Sequence, residues 1–221
     1  MLLAGVFLRT EFLKFPGCML LILSGRFYSA VLILKNIMIL SINKLLMSYY
    51  PNSAKKAFAF TVFLVLLGIA SFWLRVDDLK SALPLIIFYI VIVTNTFFSV
   101  RCFSSIIPPE NKLQWTIDAS LAVAYILMAF NMNNPLRFVF WAAVLFSIAA
   151  LKYATLLPLK NYLEILKYKI IIDSMGTLSC VLALGGIIFG HSALAIWTWT
   201  IIFSLANIFI FFVKPLYKLP K

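Results

Sequence analysis

Three ionisable side chains, Asp118, Lys152 and Asp173, stand in otherwise apolar parts of this chain. A charge at the centre of a membrane helix costs about 2.5–3.5 kcal/mol on insertion scales. Such groups therefore face protein or water, and they serve ion paths, proton relays or contacts between helices. A lysine with two carboxylates at one depth suits any of these uses. One carboxylate is neutralised, and the other is left over or bonded to Asn and Thr donors. Asn95 and Asn207 extend this set to a polar cluster of five residues, all expected near one face of a membrane. The helical spacing supports the grouping. Asp173, Gly176, Thr177 and Cys180 recur as i, i+3, i+4, i+7, and Thr200, Ser204 and Asn207 do the same further on, so each set forms a stripe that should face a bundle interior.

The elements that must position these residues follow from composition. Of 221 residues, 64% are hydrophobic and 12% charged, against about 45–50% and about 25% in soluble domains. Mean hydropathy is +1.05. This excludes a soluble domain and a disordered chain. Three scattered cysteines, Cys18, Cys102 and Cys180, exclude a disulfide scaffold. The expected fold is all-α: a compact polytopic bundle of six transmembrane helices joined by short loops.

A span needs about 20 apolar residues at about 1.5 Å each, so uncharged runs locate the spans. These are expected at about 57–74, 82–100, 113–132, 135–156, 170–190 and 192–213. The last uncharged run, Ser174 to Val213, covers 40 residues, about 60 Å as one helix and twice the membrane core. It must fold back, and Gly190-His191-Ser192 is the best hinge. Leu157 to Lys169 reads as a connection that could form a short surface helix. On this register Asp118, Lys152 and Asp173 lie about five, four and three residues inside their spans, within about 8 Å of one interface. Asn95 and Asn207 are about six residues from the same interface.

The basic residues orient the bundle. One side carries Lys55, Lys56, Arg101, Lys112, Lys152, Lys160, Lys167, Lys169, Lys214, Lys218 and Lys221, and the other Arg75, Lys80 and Arg137, a count of 11 against 3. Basic loops stay in the cytoplasm. The expected location is the cytoplasmic membrane, with both ends of the six-helix domain cytoplasmic. The net charge of +12 is then a match for anionic lipid headgroups on that side, and no nucleic-acid partner is expected. Another membrane subunit, or a second copy of the chain, is the remaining partner class.

Residues 1–46 are treated apart from the six-helix domain at 47–221. They are apolar but broken by Arg9, Glu11, Lys14, Arg26, Lys35 and Lys44, with no uncharged run long enough to span. They read either as a basic segment on the cytoplasmic leaflet or as sequence upstream of a start at Met47, and the second is favoured. Trp73, Trp115, Trp141, Trp197 and Trp199 are expected at the membrane interfaces. Ala143, Ser147 and Ala150, and the Gly186/Gly190 pair, are expected to permit close helix approach.

The missing chemistry narrows the function. His191 is the single histidine, and there is no C-x-x-C, phosphate-binding loop, G-x-S-x-G or H-E-x-x-H. No cofactor, metal site or catalytic residue is expected, and an enzyme is disfavoured, with a membrane-embedded lipid enzyme in third place. The two leading readings are a small transporter or channel with a polar layer near the cytoplasmic face, and a structural or assembly partner of another membrane protein in which that layer clamps helices. Lys152 close enough to the interface to snorkel, and carboxylates in first turns where the helix dipole favours them, support the clamp.

Overall fold

Helix ends in this chain are written by local capping chemistry. Asp78 accepts a hydrogen bond from the Lys80 N–H at 3.1 Å and so caps the helix that begins at Leu79. Asn134 does the same for the Arg137 N–H at 3.1 Å, with Pro135 as the first helical residue. At the expected hinge, Gly190 has φ +87°, a conformation a Cβ would oppose. The Gly190 N–H donates to the Ile187 carbonyl at 3.1 Å and the His191 N–H to the Gly186 carbonyl at 2.9 Å, the paired bonds of a Schellman stop.

A computed structural model describes residues 53–104, 112–159 and 162–213. The readings placed on 1–46, on the start at Met47, and on Lys160, Lys214, Lys218 and Lys221 lie outside these residues. Six helices follow in order: α1 Ser53–Arg75, α2 Leu79–Phe103, α3 Lys112–Ala129, α4 Pro135–Ala154, α5 Leu163–Ile188 and α6 Ser192–Ile208, the last running into a π-helical turn at Phe209–Val213. No strand occurs among the described residues. All six helices except α3 are long and apolar enough to cross a membrane. The 18 residues of α3 reach about 27 Å, and Lys112, Gln114 and Asp118 in its first two turns lower its apolarity.

Two sequence expectations are corrected. The sequence reading starts the fifth span at residue 170 and makes Leu157–Lys169 a connection that could form a short surface helix; instead α5 is one helix from Leu163, and turn residues follow Ala154. Stopping at each charge misplaced the start, because Lys169 is neutralised one turn later by Asp173 and need not leave the bundle. The second correction concerns Trp199. It is buried, with its ring stacked on Phe88 at 3.8 Å between centroids. An aromatic stripe at helical spacing is core here, whereas Trp73 is 79% exposed.

Phe88 on α2 is the centre of the core. Phe203 approaches it at 4.4 Å from α6, and Phe138 and Phe146 at 5.9 and 6.4 Å from α4. Edge-on and offset rings of this kind add about 0.5–1.5 kcal/mol per pair beyond their buried area. Polar groups reinforce the seams. The Tyr89 hydroxyl donates to the Leu64 carbonyl at 2.9 Å, joining α2 to α1, and Thr200 donates to the Pro84 carbonyl at 3.2 Å, joining α6 to α2.

Close approach depends on small residues at two seams. A Cβ on Gly176 would meet the Phe146 ring at 2.8 Å, and one on Gly186 would meet the Ala195 Cβ at 2.7 Å. Ser147 and Thr177 hydroxyls sit 3.3 Å apart across the same α4–α5 seam. The outer surface is largely apolar, with Leu66, Ile69, Leu182, Leu194, Ile201 and Leu205 all exposed. Water would not tolerate so continuous an apolar exterior, and backbone groups closed within helices suit hydrocarbon. The chain is an α-helical membrane bundle.

Candidate functional site

The buried face of α5 reads Leu166, Lys169, Asp173, Gly176, Cys180 and Ala183, a strict alternation of three and four residues. Lys169 and Asp173 therefore occupy core positions on successive turns. On α6 the buried face is Ile196, Trp199, Thr200, Phe203 and Asn207. Both stripes carry their polar members toward the same end of the bundle. Asp173 is 15 residues from the end of α5 at Ile188, Asn207 is 15 from the start of α6 at Ser192, Asn95 is 16 from Leu79 and Lys152 is 17 from Pro135. At about 1.5 Å per residue these four lie about 23–26 Å from the opposite end. These four therefore share a common depth along their helices.

The connectivity differs from a lysine shared by two aspartates. Two ion pairs form instead. Lys152 Nζ donates to Asp118 Oδ1 at 2.5 Å, joining the last turn of α4 to the second turn of α3. Lys169 Nζ donates to Asp173 Oδ1 at 2.7 Å within α5 itself. The two pairs differ in surroundings. The Asp118 side chain is 53% exposed, while Lys169 and Asp173 side chains are 4% and 1% exposed. Asp173 also lies ten residues inside α5, not three, so the dipole of the first turn does not explain its placement. Lys152 is buried and paired with Asp118.

Two residues that sequence reasoning left out complete the layer. A charge that ends an apolar run reads as a loop, which hides Lys169; its signal is the i, i+4 spacing to Asp173, the spacing of an intrahelical ion pair. Gln114 is the other. It is almost fully buried on α3 and donates through Nε2 to Thr155 Oγ1 at 2.6 Å and to the Lys152 carbonyl at 3.4 Å. Its signal was again spacing, four residues before Asp118 on the same face.

Around Lys169 the environment is aromatic. Its ammonium lies 5.5 Å from the centroid of the Tyr153 ring on α4, a cation–π distance. The Tyr153 hydroxyl meets Ser99 of α2 at 2.6 Å. The charge of Lys152 also acts on Asp173, so the sequence of charges runs Asp118, Lys152, Asp173, Lys169 with alternating sign and a formal sum of zero. Four helices, α2 to α5, contribute to this network.

One oxygen of Asp173 stands outside it. Oδ2 is buried and has no hydrogen-bond partner, and the same is true of Oδ1 of Asn207, whose Nδ2 donates to the Phe203 carbonyl at 2.8 Å. Each such acceptor costs about 1–3 kcal/mol relative to a satisfied one. Asn95 is buried at the same depth on α2. Among the described residues no group of three His, Cys, Asp or Glu comes together as metal ligands would. A separate groove of about 410 Å3 opens between α1 and α2, lined by Gly68, Phe72, Trp73, Tyr89 and other apolar residues; none of the five polar-layer residues borders it.

Comparison with known protein families, with curated proteins and with solved structures finds no match for this chain.

Proposed function

We propose that the chain is a small transporter or channel whose polar layer handles protons or small cations near the cytoplasmic face of the cytoplasmic membrane. The observation that carries this reading is the Lys169–Asp173 pair. Both groups are taken out of water, at a cost of several kcal/mol per ion, and their ion pair lies within one helix, with the Lys169 ammonium also set over the Tyr153 ring of α4. So costly a pair, with one carboxylate oxygen left over, is well explained by what that oxygen binds. The unpartnered Oδ2 of Asp173 gives that binding a place, and intramembrane carboxylates of this kind serve ion and proton paths. The charge count of 11 against 3 supports placing this end of the bundle on the cytoplasmic side, against anionic headgroups.

A second reading, an assembly partner held together by a polar clamp, is favoured by the other pair. Asp118 with Lys152, and Gln114 with Thr155, do join α3 to the end of α4. The two readings separate by residue. In vesicles loaded with a pH-sensitive dye, Asp173→Asn is expected to lower proton-coupled flux at least about tenfold, a loss of about 1.4 kcal/mol of coupling or more, while Asp118→Asn chiefly lowers thermal stability. Unchanged flux in both variants would remove the transport reading and leave the clamp.

A further inference from the structure

The unpartnered groups of the polar layer have a common chemistry: both are acceptors. Asp173 Oδ2 and Asn207 Oδ1 are buried oxygens without a donor, on residues 1% and 3% exposed. Their helices are consecutive and antiparallel across the Gly190 turn. Gly186 packs against Ala195 and Ser179 accepts a hydrogen bond from Trp199. From the first of these contacts Asp173 is 13 residues down α5 and Asn207 is 12 residues along α6, about 20 and 18 Å. Both belong to the buried stripe of their helix, so the two acceptors lie at one level on facing helices.

One hydrogen placed between the two would satisfy both. The geometry points to Asp173 as a reversible proton-binding site, with Asn207 Oδ1 as the acceptor for the carboxylic acid O–H. A proton delivered from water adds to Oδ2 of the carboxylate, the new O–H donates to Asn207 Oδ1, and release returns the proton to water; no other bond is made or broken. Oδ1 continues to accept from Lys169, so uptake changes the charge of the site by one without loss of a hydrogen bond. The Lys169 ammonium retains the Tyr153 ring beside it.

A metal cation fits the same place less well. Hard cations take about six to eight oxygen ligands, and the Lys169 ammonium already holds this carboxylate at 2.7 Å. The charged and titratable groups around Asp173 are Lys169 on α5, and Lys152 and Tyr153 on α4, with Cys102 of α2 in the cluster around Tyr153. The α6 helix, Ser192–Ile208, contains no titratable side chain, which leaves Asn207 as its contribution.

This site deepens the transport reading but is tested without it. The full chain is placed in vesicles of phosphatidylethanolamine and phosphatidylglycerol, and infrared spectra are recorded as pH is lowered in sodium-free salt. A carboxylic acid C=O band is expected to grow, to be lost in Asp173→Asn, to persist in Asp118→Asn, and to move to higher frequency in Asn207→Leu, which deletes the acceptor. Lys169→Met should bring the same band in at a higher pH, since a compensating cation has gone; Asn207→Leu, which leaves both charges in place, keeps the test decisive where Asp173→Asn fails to fold. A wild-type band that never appears, that survives in Asp173→Asn, or that sodium removes at constant pH would overturn the assignment, as would an unshifted band in Asn207→Leu. The band present in vesicles without proton flux would uphold the site and refute transport, whereas flux without the band would refute the site and leave transport to other residues.

Discussion

At the scale of residues, the two ion pairs respond differently to removal of one partner. Lys169→Met strands a carboxylate that is fully inside the bundle, and breaking a buried pair in this way costs about 3–5 kcal/mol. The double variant Lys169→Met/Asp173→Leu removes both charges and should regain most of that loss, measured as thermal unfolding in detergent. Equal stability of the single and double variants would show that Asp173 is not held as a charged partner of Lys169. The Asp118–Lys152 pair is half open on its acidic side, so its coupling in a double-mutant cycle should be smaller, about 0.6–2 kcal/mol. Water access separates the two again. Under the transport reading a cysteine placed by Asp173→Cys is labelled by small charged thiol reagents from the basic end, and a dry clamp leaves it unlabelled. The five polar residues were legible from the sequence because each interrupts an apolar run; their partners were not. A lysine at i−4 of an aspartate changes from a loop marker to a core residue once the pair is recognised, and only the helix register reveals the pairing.

At the scale of elements, helix stops were legible and helix starts less so. A glycine with polar neighbours in the middle of a 40-residue uncharged run has one physical use, and Gly190 at φ +87° fulfils it. Replacing it by alanine should cost about 1–2 kcal/mol, read as a lower unfolding temperature. The start of α5 was hidden because its first two turns carry Glu164, Lys167 and Lys169, a pattern shared by loops and by helix ends that project past the hydrocarbon. At 26 residues α5 extends about 39 Å against a core of about 30 Å, so its start, with the exposed Glu164 and Lys167, has room outside it. The seam between α4 and α5 is where packing matters most. Gly176→Leu drives a side chain into the Phe146 ring, already 2.8 Å from a Cβ there, and overpacking of this sort costs about 1–3 kcal/mol. Gly185→Ala, with nothing within 4 Å of its Cβ, is the matched control and should be neutral or slightly stabilising through helix propensity. Equal losses in both would show that Gly176 is not a close-packing position.

At the scale of the whole molecule, charge and apolarity divide the labour. The apolar exterior says that the bundle lies in lipid, but apolarity is the same at both ends and cannot orient it. The charges can. Helix termini at one end carry Arg75, Lys80 and Arg137, and the remaining basic residues of the bundle cluster toward the other. Short basic loops resist translocation, and anionic headgroups stabilise them by about 1 kcal/mol per Lys or Arg near the surface. The polar layer lies toward the basic end, so orientation also decides which compartment would supply the proton to Asp173. Single cysteines resolve it. In a background with Cys18 replaced by serine, and with Cys102 and Cys180 already buried, Asn133→Cys and His191→Cys at the sparsely charged end should react with a membrane-impermeant maleimide added outside intact cells, and Pro158→Cys at the basic end should react only after the membrane is opened. The reverse pattern would invert the bundle. It would then expose the Asp173 end to the outer compartment and require the 11-to-3 charge bias to be overridden by something outside the six helices.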